Sequence, residues 1–298
     1  MTVDSAAVVR RTAAPPAITF LLRRPAGLIG VLVVAVVVGT GLFAPLVAPR
    51  DPLRQTILER LQPPALTTDR GRYVLGTDGL GRDIASRLVF GARISLLVAA
   101  TAVAIAGAIG VSLGLAAGYF GGYLEIALMR IVDIQLAIPP LVLYLAIIAL
   151  IGPSLPNLIL TLGVTNWVDY ARIVYGEALS VKQRQFVESA RATGATDRRV
   201  VLRHVLPNVM APVIVVASLQ AGRVILEESS LSFLGLGVQP PTPSWGSMVA
   251  DGLELLEVAW WVSTVPGLAI LATVLGLNLF GDWLRDYLDP RSRRRHLT

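Results

Sequence analysis

The sequence predicts an all-α membrane protein with about six transmembrane helices and both termini on the cytoplasmic side. Three observations carry that prediction. Of the 298 residues, 54% are hydrophobic and 15% charged, whereas soluble domains run at about 45–50% and about 25%. The apolar residues gather in six runs long enough to cross a hydrocarbon core of about 30 Å. And 17 of the 26 basic residues fall in segments that such a topology places inside, as expected where arginine is retained in the cytoplasm.

Taken in order, residues 1–25 form an arginine-bearing tail (Arg10, Arg11, Arg23, Arg24) with no core-forming pattern. Residues 26–47 make the first span, closed by Pro45 and Pro49, within a segment that ends at residue 49. Its length and the lack of a small-x-small cleavage site indicate a retained anchor, not a signal peptide. Residues 50–93 form an outer loop, in which 80–97 reads as an amphipathic interfacial helix leading into the second span, 94–119. The third span, 134–151, is entered through Pro139-Pro140, and the fourth, 155–175, is interrupted near its end by Asn166, Asp169 and Arg172. Spans five and six cover 209–226 and 260–280. The core, residues 94–283, therefore encloses an inner loop at 176–208 and an outer loop at 229–259, and ends in a basic tail, 284–298.

Composition also excludes chemistry. With no cysteine and only His204 and His296, the chain lacks material for thiolate or histidine metal sites. Its single lysine, Lys182, lies outside any GxxxxGK[ST] frame, so the chain carries no Walker motif of its own. The glycines from Gly76 to Gly81 lack GxGxxG spacing. The net charge of +6 follows from membrane topology and gives no reason to invoke nucleic acid. A membrane hydrolase would need a nucleophile with a base partner, and the chain has no HExxH and both histidines outside the predicted spans. A secondary transporter, which would normally be longer and show a repeated half with broken helices, is the alternative of a different class.

Inside the spans, Gly110, Gly114 and Gly118 recur on one helix face and allow close helix approach. Arg223 and Glu227 stand at i, i+4 on span five, either as an internal salt bridge or as cavity-lining charges for a zwitterionic solute. Arg130 and Asp133 read as an interfacial pair, and Asp169 and Arg172 as a gate or a helix-end anchor. Trp260, Trp261 and Trp283 fit aromatic belts.

The inner loop is the most informative segment. Ser180 and Gln183 have capping-box spacing at the start of a helix that places Phe186 and Ala190 on one face. Gly194 is placed to end that helix, and Thr196 or Asp197 to cap a second one with an apolar stripe of Val201, Val205, Leu202 and Leu206. Pro207 then starts the fifth span. Glu188-Ser-Ala-Arg-Ala-Thr-Gly194, nine residues and His204-Val-Leu-Pro207 resemble the EAA loop of ABC-importer membrane subunits, in the dipeptide/oligopeptide/nickel branch. The stretches 75–93 and 228–246 carry the same resemblance, as does Asp289-Pro290.

The resemblance implies a type I ABC-importer permease fold and a role in peptide import, with nickel or another small ligand as the alternative cargo. It assigns ATPase coupling to Glu188, Ala190, Arg191, Ala192, Gly194, Ala195, Asp197, Arg203, His204, Leu206 and Pro207. Arg223, Glu227, Glu228 and Asp169 are the candidates for a substrate pathway. The implied partners are a second, similar permease subunit, two ATPase subunits that bind ATP and Mg, an external solute-binding protein, peptide and membrane lipid. No cofactor or metal is expected on this chain itself.

Overall fold

The structure, a computed structural model, describes residues 17–22, 24–68 and 71–288. Most of the predicted tail 1–25 and the end of the basic tail, including Asp289-Pro290 and His296, lie outside the described residues. The chain enters through α1 (Ala17–Leu22), α2 (Pro25–Leu42) and the short α3 (Ala44–Val47). Helix thus begins before residue 26, where the composition suggested only a tail. Pro25 at the first position of α2 explains the start, since its missing N–H costs nothing there. A small antiparallel hairpin, β1 (Ala65–Thr68) and β2 (Gly71–Tyr73), is the exception to an all-helical architecture among the described residues.

The longest helix is α4 (Ile84–Phe120), at about 55 Å for 37 residues. The predicted interfacial helix and second span are therefore one rod, because nothing between Ile84 and Gly121 breaks the hydrogen-bond ladder. Asp83 caps it, accepting from the Ser86 N–H at 2.9 Å. Gly121, at φ +71°, ends it.

Spans three and four differ from the sequence expectation. α5 (Gly122–Leu136) and α6 (Pro140–Ile151) meet at a bend of 92°. Pro139 precedes another proline, which drives it out of the α region to φ −56°, ψ 127°, and the helix cannot continue. The predicted fourth span is divided into α7 (Leu155–Thr165) and α8 (Trp167–Lys182) by Asn166, whose φ −84°, ψ 5° is a turn conformation. Ser180 lies inside α8, so the predicted capping box at that position does not form.

The inner loop comprises α9 (Gln185–Ala192) and α10 (Asp197–Val200). α10 passes through a π-helical turn, Val201–Val205, directly into α11 (Leu206–Phe233). The second loop helix and span five are thus continuous. Pro207 has no N–H to donate and would crowd the carbonyl four residues earlier, and a π-turn relieves that crowding. The extra residue shifts the buried stripe to Val200, Val205 and Val209 and leaves Leu202 exposed. α12 (Trp245–Gly252) and α13 (Trp261–Leu288) complete the fold.

Among the described residues, four helical rods are long and apolar enough to cross a membrane, or five if the bent α5–α6 pair is one span. α4 is the central rod. It packs on α8 through Gly110, Gly114 and Gly118, and Trp167, Ala171 and Tyr175 backbone carbonyls of α8 take the place of side chains at those glycines. α2 packs as closely on α13, with Gly30 against the Phe280 backbone and Gly27 against Trp283. Arg24 pairs with Asp286, so the start of α2 and the end of α13 share one end of the bundle.

At the opposite end, charged groups tie the segment before α4 and the first turn of α4 to α12. Asp78 is bonded by Arg82 Nε at 2.7 Å and by Arg87, and Asp251 of α12 lies 3.3–3.4 Å from both guanidinium groups. Trp245 Nε1 donates to the Leu88 carbonyl at 2.9 Å and Trp261 Nε1 to the Thr77 carbonyl at 3.2 Å. Trp261 is thereby a buried anchor; of the adjacent pair only Trp260 is exposed in the manner of a belt residue.

Candidate functional site

Two places gather the residues singled out by sequence: the loop between α8 and α11, and a polar cavity at the breaks in the helices. In the loop, Gly194 adopts φ +83° and closes α9 with a Schellman turn. The Ala195 N–H donates to the Ala190 carbonyl at 3.0 Å and the Gly194 N–H to the Arg191 carbonyl at 2.9 Å. A side chain at 194 would meet no atom within 4 Å. Glycine is needed there for its backbone conformation, not for space.

Val187, Val200 and Val205 anchor the loop in the core. Glu188, Arg191, Ala192, Asp197, Arg203 and Pro207 face outward, whereas Ala190, Ala195, His204 and Leu206 are half-buried. Phe186 is exposed and contacts the His204 ring at a centroid distance of 6.5 Å. A depression of about 310 Å³ is lined by Thr196, Arg198, Arg199, Leu202 and Arg203. Its basic rim suits an acidic partner surface.

One side chain missed by sequence reasoning connects this loop to the bundle. Tyr119, buried at the end of α4, donates its hydroxyl to Asp197 at 2.5 Å, and the Arg191 guanidinium lies 5.0 Å from the centre of its ring. Lys182 Nζ donates to the Gly118 carbonyl at 2.8 Å. Tyr119 therefore touches both arms of the loop at once. No local motif signals this, because 78 residues separate Tyr119 from Asp197.

The cavity, of about 210 Å³, is lined by residues of α5, α6, α7, α8 and α11, among them Tyr144, Asn166, Asp169, Arg223 and Glu227. It lies near the level of Gly110, roughly 15 Å along α4 from its end at Phe120. The expected Arg223–Glu227 pair does not form. Arg223 Nη1 instead bonds Asp169 Oδ2 at 2.7 Å. Glu227 accepts from the Tyr144 hydroxyl at 3.0 Å and from Asn166 Nδ2 at 2.9 Å. The reason is the break at Asn166, which brings the first turn of α8 within reach of Arg223.

The same rearrangement pairs Asp133 with Arg172 at 3.2 Å, in place of the expected Arg130. Glu228 points the other way. It is fully buried, outside the cavity, and accepts from Ser95 at 3.0 Å and Ser232 at 2.8 Å. Its place is in the core between α4 and α11, apart from the other three pathway candidates. Among the described residues no cluster of three or more His, Asp or Glu side chains is placed to hold a metal ion.

Comparison with known proteins agrees with these features. Residues 110–294 match the family model described as "Binding-protein-dependent transport system inner membrane component". The di/tripeptide transport system permease protein DppC of Pseudomonas aeruginosa is 45% identical over 266 residues, covering 88% of this chain and 87% of that protein. The dipeptide transport system permease protein DppC of Escherichia coli K12 is 44% identical over 276 residues, 92% of each chain. In fold, an inward-facing structure of the MetNI methionine ABC transporter is similar at a TM-score of 0.56 and 19% identity, covering 68% of this chain and 96% of that one. With the matched segment running from the α4 glycine face through the loop to the end of α13, this chain belongs to the family of binding-protein-dependent transport system inner membrane components.

Proposed function

We propose that this chain is a permease subunit of an ATP-driven importer of dipeptides or short oligopeptides in the bacterial cytoplasmic membrane. It would form half of the pathway beside a second, similar permease subunit. The names and high similarity of the Pseudomonas and Escherichia relatives support peptide as the cargo. No observation favours nickel.

In this reading the loop end of the bundle faces the cytoplasm, with both termini on that side, and α9–α10 is the element that two ATPase subunits grip. ATP and Mg act on those subunits, and this chain performs no catalysis. An external solute-binding protein delivers peptide at the opposite end, where the ordered α12 region and a proline-lined hollow of about 590 Å³ offer a rigid docking surface. Closure of the ATPases moves the loop. Tyr119 and the π-turn pass that movement to α4 and α11, and the bundle shifts between outward- and inward-open states. Asp169, Arg223 and Glu227 face the path of the solute.

The observation that carries the proposal is the loop itself: a rigid, outward-facing helical knob fixed to the two longest rods. Purification of the tagged chain from its own cells tests it. Two ATPase subunits and a second permease are expected to co-elute, with ATP hydrolysis stimulated several-fold by peptide-loaded binding protein. A stable single chain with proton-coupled uptake would contradict the proposal.

A further inference from the structure

The cavity beside the helix breaks has an unbalanced charge. Asp169 is matched by Arg223 at 2.7 Å, whereas Glu227 has no cation within salt-bridge distance, so two carboxylates share one guanidinium. Each of its oxygens is instead held by a neutral donor, Tyr144 on α6 or Asn166 at the break between α7 and α8. Both donors are well buried. A carboxylate fixed in this way is costly at membrane depth unless a positive group joins it. Its two hydrogen bonds leave further lone pairs on both oxygens, and the residue lines the cavity.

The space is adequate for a ligand. The cavity measures about 210 Å³, many times the ~10–15 Å³ that a single water requires. Leu136, Ile138, Pro140, Leu143 and Val168 supply apolar wall around the charged end. Such a surface suits a small organic cation better than a hydrated metal ion, whose water shell the apolar wall cannot replace.

The geometry points to Glu227 as the receptor for the primary ammonium at the amino terminus of the transported peptide, with Tyr144 and Asn166 as positioning residues for its carboxylate. This assignment rests on the permease reading above and adds to it a selectivity built into the membrane subunit. Arg223 is already neutralised by Asp169 at 2.7 Å, so it offers the peptide carboxylate no unmatched positive charge. The site therefore reads the amino end and leaves the carboxyl end unread.

The test uses the assembled permease–ATPase complex in lipid nanodiscs without binding protein, titrated calorimetrically with three probes: alanyl-alanine, alanyl-alanine amide and N-acetyl-alanyl-alanine. The first two are expected to bind alike, and the acetylated probe at least about tenfold more weakly, as for loss of one charge-assisted hydrogen bond. Glu227→Gln is expected to erase that preference, and Tyr144→Phe to reduce it. Equal binding of all three probes, no binding of any, or a preference that survives Glu227→Gln would overturn the assignment. So would displacement of the amide by sodium or potassium, which would make this an inorganic-cation site. Failure of Glu227→Gln to co-purify with the second permease subunit would also overturn it, by placing the missing positive charge on that chain. These results are separable from failure of the importer reading, in which the wild-type chain brings down no ATPase and supports no peptide uptake.

Discussion

Gly110→Val is expected to lower the stability of the fold sharply. A Cβ at this position would lie 2.3 Å from the Trp167 carbonyl oxygen and 2.5 Å from Tyr170 Cβ. The first of these is backbone within the neighbouring helix and cannot swing away. Relief requires separation of α4 from α8, the pair on which the loop end of the bundle is built. Overpacking of this kind typically costs about 1–3 kcal/mol and sometimes more, against a total stability of about 5–15 kcal/mol. The two further methyl groups of valine add to the clash. Gly39→Val is the control, because a Cβ there meets nothing within 4 Å. In detergent, size-exclusion chromatography and thermal unfolding should show a clearly lowered unfolding temperature and more aggregate for Gly110→Val, and a wild-type profile for Gly39→Val. A monodisperse Gly110→Val protein with unchanged unfolding temperature would refute the close α4–α8 contact.

Gly194→Val is expected to spare the fold and break coupling. At φ +83° a side chain strains the backbone, by about 1–2 kcal/mol for an ordinary residue and more for a β-branched one. The surrounding space is empty, so the penalty falls on the Schellman turn alone. Relaxing that turn re-aims Glu188 and Arg191 relative to Arg198 and Arg203, the residues that would meet the ATPase. Peptide uptake by reconstituted complex should fall roughly tenfold, the ratio that ~1.4 kcal/mol represents, while chain yield stays normal. Gly194→Asn should recover a large part, because asparagine tolerates the left-handed conformation. Equal defects in Gly194→Val and Gly194→Asn would point to side-chain bulk and against the backbone explanation.

The sequence made the long apolar rods legible because their signal is local. Residues 26–47, 94–119, 209–226 and 260–280 each lie within or largely within a helix of the structure, and Gly194 ends α9 where a glycine was expected to. What the sequence hid was non-local. The i, i+4 spacing of Arg223 and Glu227 suggested a pair, but Asp169, 54 residues upstream, competes for the arginine once Asn166 interrupts the chain. Pro139-Pro140 was visible as a disruption, yet proline alone does not tell a kink from a right-angled turn. Ser180 satisfied a capping pattern that the continuing packing of α8 on α4 overrides. The π-turn before α11 moved the buried stripe by one residue, which no fixed helical period anticipates. Of the site, the loop was readable because its motif is contiguous; the cavity was not, because five helices build it.

In the proposed importer, a separate ATPase grips this chain at the α9–α10 knob. The chain has no cysteine, so one introduced thiol is unique within it. Glu188→Cys, labelled with benzophenone maleimide in native membranes and irradiated, should cross-link this chain to an ATPase subunit identified by mass spectrometry. The same label on Leu53→Cys, at the opposite end of the bundle, should not. Cross-linking to the ATPase from position 53 and not from 188, or from neither, would place the ATPase elsewhere than on the knob.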